Sequence, residues 1–359
     1  SDFSAAGSYV VPATGATEVF LPLLNKENSG YTTWYTVQNM GTEEATVEVI
    51  YSDGTTIAPL VIPPFAARNV FQSSESHAQA IFAATLASDQ PIRAAVLQEG
   101  DGIIFAHTGV ALAGSGTIPP PEETQGSAGV NAGTASSETP IFPLVNVNNA
   151  GYVTGIQILN GGDESTSVTV SYTPSDAGSA CTETRSIAAG TSRTFALAAF
   201  ASGTSASDCL PGERFIGSAA VTDNSTGQPL TGIVNQLLPG LNGEAYVAFA
   251  PEEATNALAM PLIMDRNSGY FTGFSVQHVG GPESVVTCVF SNATYTVSAT
   301  LGEGEALVDL QQGKIANGYI GSGVCTAAND DTKIVAVINE LQLGGTGDQF
   351  LVYEGIPLP

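Results

Sequence analysis

Few residues in this chain are able to do acid–base chemistry. Histidine occurs three times, at His77, His107 and His278. A catalytic histidine needs a nucleophile, an orienting partner and an oxyanion donor converging on one point. No GxSxG, HExxH or phosphate-loop pattern occurs, so each histidine reads as an ordinary surface or half-buried side chain. Asp and Glu number 34, so paired carboxylates lie everywhere and single out nothing. The expectation is a chain that is not an enzyme, with no catalytic residues, no cofactor and no resident metal.

Other residue types offer binding rather than reaction. Asp223-Asn224 and Asp330-Asp331 are oxygen-rich turns of the kind that can hold Ca²⁺, but they lack the spaced ligands of an EF-hand loop and read as solvated turns. Trp34 is the only tryptophan. Alternation along its segment points it outward, where an indole can stack on a sugar ring or a protein partner, or pack on a neighbouring loop. Asn224-Ser225-Thr226 and Asn292-Ala293-Thr294 match the N-glycosylation triplet. Cys181, Cys209, Cys288 and Cys325 form two local pairs without CxxC spacing. They read as two disulfides, which places the chain outside the cytosol; the alternative is four reduced, buried thiols.

Charge excludes several partners. Nine Lys and Arg stand against 34 acids, for a net charge of −25. No basic patch exists to neutralise phosphates, which argues against nucleic acid, and an anionic membrane surface would repel the chain. No stretch approaches the roughly 18 continuous apolar residues of a membrane helix, so no membrane insertion is expected. A chain opening at Ser1 without Met reads as a mature, processed form.

What positions these residues is a phrase that occurs three times. Pro22-Leu23-Leu24 precedes Gly30-Tyr31-Thr32-Thr33. Pro143-Leu144-Val145 precedes Gly151-Tyr152-Val153-Thr154, and Pro261-Leu262-Ile263 precedes Gly269-Tyr270-Phe271-Thr272. The prolines are 121 and 118 residues apart, so the chain is built of three units of about 120 residues. Period-two alternation follows each phrase, as in Val47, Val49, Tyr51 and their counterparts Val168, Val170, Tyr172 and Val286, Cys288, Phe290. The second half of each unit reads as a hairpin. Phe82 to Leu86 returns through Ser88-Asp89-Gln90-Pro91 to Ile92–Leu97, with equivalents at 215–234 and 319–338. Each return strand closes on an amide or acid pair: Gln98-Glu99, Asn235-Gln236, Asn339-Glu340. Ser74–Gln79 allows one short helical turn. Seven or so strands per unit, with turn signals every 8–12 residues, predict an all-β chain of three tandem antiparallel β-sandwiches.

The predicted boundaries are an N-terminal extension strand over 1–17, sandwiches over 18–110, 141–250 and 251–359, and a linker over 111–140. The linker holds no aromatic, Lys or Arg, and contains Pro119-Pro120-Pro121. Units two and three are joined by only about ten residues, which predicts a fixed relation between them. Pro12 precedes Pro22 by ten residues, as Pro251 precedes Pro261. The extension, with Tyr9, Val10, Val11 and Pro12, therefore resembles the final strand of a unit followed by a normal connector.

These repeats resemble tandem immunoglobulin-like or filament-forming β-sandwich proteins of bacterial and archaeal cell surfaces. The resemblance covers all three units and is one of architecture. It implies a secreted, non-enzymatic structural subunit of an extracellular filament or surface layer. In that reading Tyr9-Val10-Val11-Pro12 adds a strand to a neighbouring copy, head to tail, so the partner is the chain itself. Alignment puts Cys288 in the column of Val49 and Val170, and Cys325 in that of Leu86 and Val221. A bridge there is expected to cross the interior as in immunoglobulin-type sandwiches, while Cys181 and Cys209 staple loops. The alternative is a secreted adhesin or carbohydrate-binding protein that meets glycans through Trp34.

Overall fold

The computed structural model describes residues 15–111, 139–197, 206–225, 227–342 and 347–358. Tyr9, Val10, Val11 and Pro12 lie outside the described residues, as does most of the linker. The first repeat contains β1 (Ala16–Asn25), β2 (Thr32–Asn39), β3 (Ala45–Tyr51), β4 (Leu60–Ile62), β5 (Ala67–Phe71), β6 (Ile81–Gly100), β7 (Ile103–Thr108) and β8 (Val110–Ala111). The second contains β9 (Ile141–Val147), β10 (Val153–Asn160), β11 (Thr166–Ala177), β12 (Cys181–Ile187), β13 (Ser192–Phe195), β14 (Ala206–Ser207), β15 (Phe215–Asp223), β16 (Leu230–Leu238) and β17 (Asn242–Val247). The third contains β18 (Ala257–Asp265), β19 (Tyr270–Gly280), β20 (Ser284–Phe290), β21 (Thr296–Leu301), β22 (Ala306–Leu310), β23 (Tyr319–Ala327), β24 (Lys333–Gln342), β25 (Phe350–Glu354) and β26 (Ile356–Pro357). Among the described residues there is no α-helix, only two single 3₁₀ turns, one of them at Gln72–Ser74 just ahead of the turn the sequence allowed.

All pairings are antiparallel, and one plan recurs three times. The second repeat has sheets β14-β12-β11-β15-β9 and β13-β10-β16-β17, and the third β21-β20-β23-β18-β26 and β22-β19-β24-β25. The first repeat has the same neighbours, but β6 belongs to both layers. Its first half pairs with β1 and β3, its second half with β2 and β7.

This corrects the hairpin expectation. The two arms never pair with each other: β15 lies beside β11 and β9, while β16 lies beside β10 and β17. The stretch that reads as a reversal is a crossing from one layer to the other. Turn residues mark where a ladder ends, but they do not say whether the chain doubles back or changes sheet. In the first repeat the strand runs through Asp89-Gln90-Pro91 without a break.

The repeated phrase has a local cause for each residue. In all three copies the register of the first strand slips at the Pro-Leu dipeptide, between Leu21 and Leu24, Phe142 and Val145, and Met260 and Ile263. Proline lacks a ladder donor, and a bulge is where a sheet tolerates that. The glycine takes φ of 86°, 90° and 88° at Gly30, Gly151 and Gly269, which any Cβ would disfavour. The threonine three residues later accepts a backbone N–H from the first strand just past the bulge. Asn25 N donates to Thr33 Oγ1 at 2.9 Å, Asn146 N to Thr154 Oγ1 at 2.9 Å, and Met264 N to Thr272 Oγ1 at 2.7 Å.

Both disulfides are formed, Cys181–Cys209 and Cys288–Cys325. The expectation that Cys288–Cys325 spans the two layers is corrected. The two residues are direct partners on adjacent strands of one sheet, as are Val49 with Leu86 and Val170 with Val221. The columns face the core, as alternation required, but from the same side of it. Cys181 opens β12, and Cys209 follows β14, which pairs with β12, so that bridge closes the excursion between them.

Two outcomes test this account. Replacing Thr154 with Val leaves a buried N–H without an acceptor and is expected to cost about 1–3 kcal/mol in denaturant unfolding. The double change Cys288→Val, Cys325→Val imitates the second repeat. It should keep the native circular-dichroism spectrum while losing about 3–4 kcal/mol of loop-closure stabilisation; loss of the strand spectrum would count against a simple staple.

Candidate functional site at the repeat junctions

The three histidines are built into the fold. His278 occupies the column of Asn39 and Asn160. Those amides donate to Glu43 O and Glu164 O, both at 2.7 Å, and the His278 imidazole meets Pro282 O at 3.0 Å in the same turn. His107 is buried on β7, with Nδ1 3.0 Å from Thr108 O, and burial lowers its pKa to about 4. His77 Nδ1 lies 3.1 Å from Asp53 Oδ2, and its ring stacks on Phe82 at 3.8 Å. Neither side chain of that pair reaches solvent, and burial lowers the pKa of the imidazole. The pair resembles two-thirds of a catalytic triad, but no hydroxyl or thiol nucleophile is bonded to the ring.

The remaining candidates are separate from one another. Trp34 is half-buried on β2 and stacks on Phe71, its direct partner on β5, at 5.8 Å. Asp223 accepts from the backbone N–H of Ser225 and Gln228, and Asp330 Oδ1 accepts from Asn256 Nδ2 at 3.4 Å, while Asp331 N donates to Asn329 Oδ1. Asn224 and Asn292 are exposed. Among the described residues, the one cluster with metal-ligand types is Cys181, Asp208 and Cys209, whose sulfurs are bonded to each other.

What the structure does bring together are amides at the boundaries between repeats. Thr33, Thr154 and Thr272 stand opposite Gln98, Gln236 and Glu340. This shifts the closing pairs of the sequence by one residue: Gln98 matches Gln236 and Glu340, while Leu97 matches Asn235 and Asn339. From the tip of one repeat, each glutamine meets the asparagine on the outer sheet face of the next. Asn235 Nδ2 lies 3.4 Å from Gln98 Oε1. Gln236 and Asn339 exchange two hydrogen bonds at 3.3 and 3.1 Å. The same two columns thus meet twice, through one hydrogen bond across the long linker and two across the short connector. The fixed relation expected for repeats two and three extends to repeat one.

Each junction leaves a cleft in the same place. The first, about 410 Å³, lies between the Leu23–Tyr31 corner and the face carrying Gly155 and Asn235. The second, about 390 Å³, lies between the Leu144–Tyr152 corner and the face carrying Gly273 and Asn339. Gly155 has ordinary backbone angles, and a Cβ there would meet nothing within 4 Å. Its lack of a side chain keeps the cleft open. Trp34 is the matching residue of the first repeat.

The three repeats also meet at one carboxylate. Asp348 accepts from Gly243 N of the second repeat at 3.2 Å and from Ile104 N of the first at 3.4 Å. Nearby, Ala106 N donates to Glu244 Oε1 at 3.2 Å and Gln349 N to Asn242 Oδ1 at 3.1 Å. Alternation predicted the strands, but not that their last strands would adjoin. Each of these residues is unremarkable in sequence, and the only usable trace was the amide-rich end of each repeat.

Comparison with known protein families, with curated proteins and with solved structures finds no match.

Burial pushes the carboxyls of Glu340 and Glu354 up to about 8 and that of Asp348 to about 6. In the unfolded chain these groups ionise near pH 4. Between that value and the folded pKa the native state holds more protons than the unfolded one. Stability is therefore full at acid pH and falls as pH rises towards about 8. The melting temperature is expected to drop between pH 5 and pH 8. Glu340→Gln, which restores the amide found at Gln98 and Gln236, should raise the pH 8 value and flatten the slope; an unchanged slope would mean that Glu340 does not titrate in the fold.

Proposed function

We propose that this chain is a non-enzymatic structural subunit of an extracellular filament or surface layer, built from three tandem immunoglobulin-like sandwiches and joined head to tail to copies of itself. The observation that carries this is the junction made twice within the chain, Gln98 to Asn235 and Gln236 to Asn339. A repeat that docks its tip on the face of the next has no reason to stop at three. Rings are closed by rotation, and open contacts of this kind continue.

The secreted location rests on the two disulfides, the acidity and the shortage of lysine. Strand addition by Tyr9-Val10-Val11-Pro12 fits the outer edge of β18 in a neighbouring copy, where the chain's own β26 covers only Leu258 and Ala259. The chain's own β25 already fills the last-strand place of the third repeat, so the incoming segment lengthens an edge and replaces nothing. The histidines favour a structural role too, since each serves a turn or a core.

Electron microscopy of the full chain beside a version lacking residues 1–14, which spares β1, tests the reading. Filaments or sheets from the full chain and single particles from the shortened one are expected. Assemblies from both would keep the structural role and discard the strand; single particles from both at high concentration would discard the role.

A further inference from the structure

The two internal junctions define what an uncovered repeat face and an uncovered tip have to offer. On β10, β16, β19 and β24, residues of both faces are buried, because the preceding repeat covers the outer face. On β2 and the second half of β6, burial alternates strictly, and the outward row is Thr32, Trp34, Thr36 and Ala95, Leu97. Among the described residues nothing covers that face. Among the described residues, the other half of the junction is uncovered on the third repeat. Leu23 and Tyr31 are each 8% exposed, and Leu144 and Tyr152 are 5% and 9% exposed. Their third-repeat counterparts, Leu262 and Tyr270, are only partly buried, and Leu351 beside them is 36% exposed.

We infer that the outer face of the first repeat, centred on Trp34, is the docking surface for the third-repeat tip of a second copy of this chain. The inference rests on the head-to-tail reading above and names its contact. Phe71, Trp34 and Leu97 are direct neighbours across β5, β2 and β6 and form one apolar row. In the same columns the internal faces carry Gly155 with Asn235, and Gly273 with Asn339. An indole at the glycine position projects into the space that the internal junctions leave as a cleft of about 400 Å³. The difference has a physical reason. Repeats within a chain meet at the high effective concentration set by their connector, whereas separate chains do not. An untethered contact needs a buried aromatic anchor within a polar rim. Thr32, Arg93 and Glu99 supply that rim where the internal faces have more apolar residues such as Val153, Val335 and Leu237. On the tip, Thr272 Oγ1 donates to the Glu340 carboxyl group at 2.8 Å, so that side chain has a partner within its own repeat where Leu97 offers none.

Sedimentation velocity on full-length chains tests this. The unaltered chain should form concentration-dependent oligomers. Trp34→Arg, on the face, and Leu262→Arg, on the tip, should each weaken association at least 100-fold while keeping the unaltered melting temperature. Each variant retains one good half of the junction, so an equimolar mixture should give one-to-one dimers and nothing longer. Oligomers of Trp34→Arg equal to those of the unaltered chain would overturn the inference and leave the structural role standing, with its contact elsewhere. A mixture without dimers would also overturn it. A monomeric unaltered chain at every concentration would remove both readings.

Discussion

The fold depends on what happens to one backbone N–H. Where proline interrupts the first strand of a repeat the register slips, and just past the slip the N–H of Asn25, Asn146 or Met264 needs a partner other than the neighbouring strand. A buried donor without an acceptor costs on the order of 1–3 kcal/mol. A threonine hydroxyl on the next strand takes it in all three repeats. That single bond ties the end of the first strand to the start of the second, and the positive-φ glycine between them lets the chain make the passage in four to six residues. The corner so formed is the tip of the repeat. Because it is rigid, its Leu and Tyr can be offered to a neighbour in fixed geometry, and the amide opposite the threonine can reach across.

From that corner the arrangement of the three repeats follows. A tip set on a sheet face must find that face flat and apolar, with polar groups only where the tip carries a partner. The second and third repeats meet this with glycine in the threonine-following position and asparagine beside it. Apolar contacts around the amides exclude water, as where Leu23 packs with Ile233 and Val247. They make a hydrogen bond between neutral amides worth more than at the surface. In the first such contact the connector is long and in the second it is short, yet the same amide columns meet. The geometry is therefore set by the surfaces, and the connectors only need to be long enough. Stability in such an array is shared between each repeat and its nearest neighbours.

Much of this was legible in the sequence. Strand alternation around Tyr35, Val170 and Phe290 identified the core face, and the repeated phrase located the corners. The cysteine columns were right in facing inward and wrong in crossing the interior, because parity fixes the face of a residue and says nothing about which strand lies beside it. The hairpin reading of Asp89-Gln90-Pro91 failed for the same reason: a turn signal reports a broken ladder, and its destination depends on partners 40 to 70 residues away. The closing amides stood out as a pattern, but their register was off by one until Thr33 could be placed opposite Gln98. The role of Gly155 was not legible at all. A glycine in a strand usually marks a bulge or a close approach, and here it marks a space.

That space also gives Trp34 its meaning. In isolation an outward indole stacked on an outward phenylalanine is an ordinary cross-strand pair. Set against two internal glycines in the same column, it adds a whole aromatic ring, on a sheet face that nothing covers among the described residues. The neighbouring changes run the other way, with Glu99 where the later repeats have Leu237 and Leu341. If the first repeat simply ended the array, solubility would call for polar residues throughout this face, centre included. The substitutions instead concentrate apolar surface at the centre and polarity at the edge. Burying an apolar centre and wetting a rim is how a surface prepares to associate reversibly, and that pattern is the ground on which the face is assigned to a second copy.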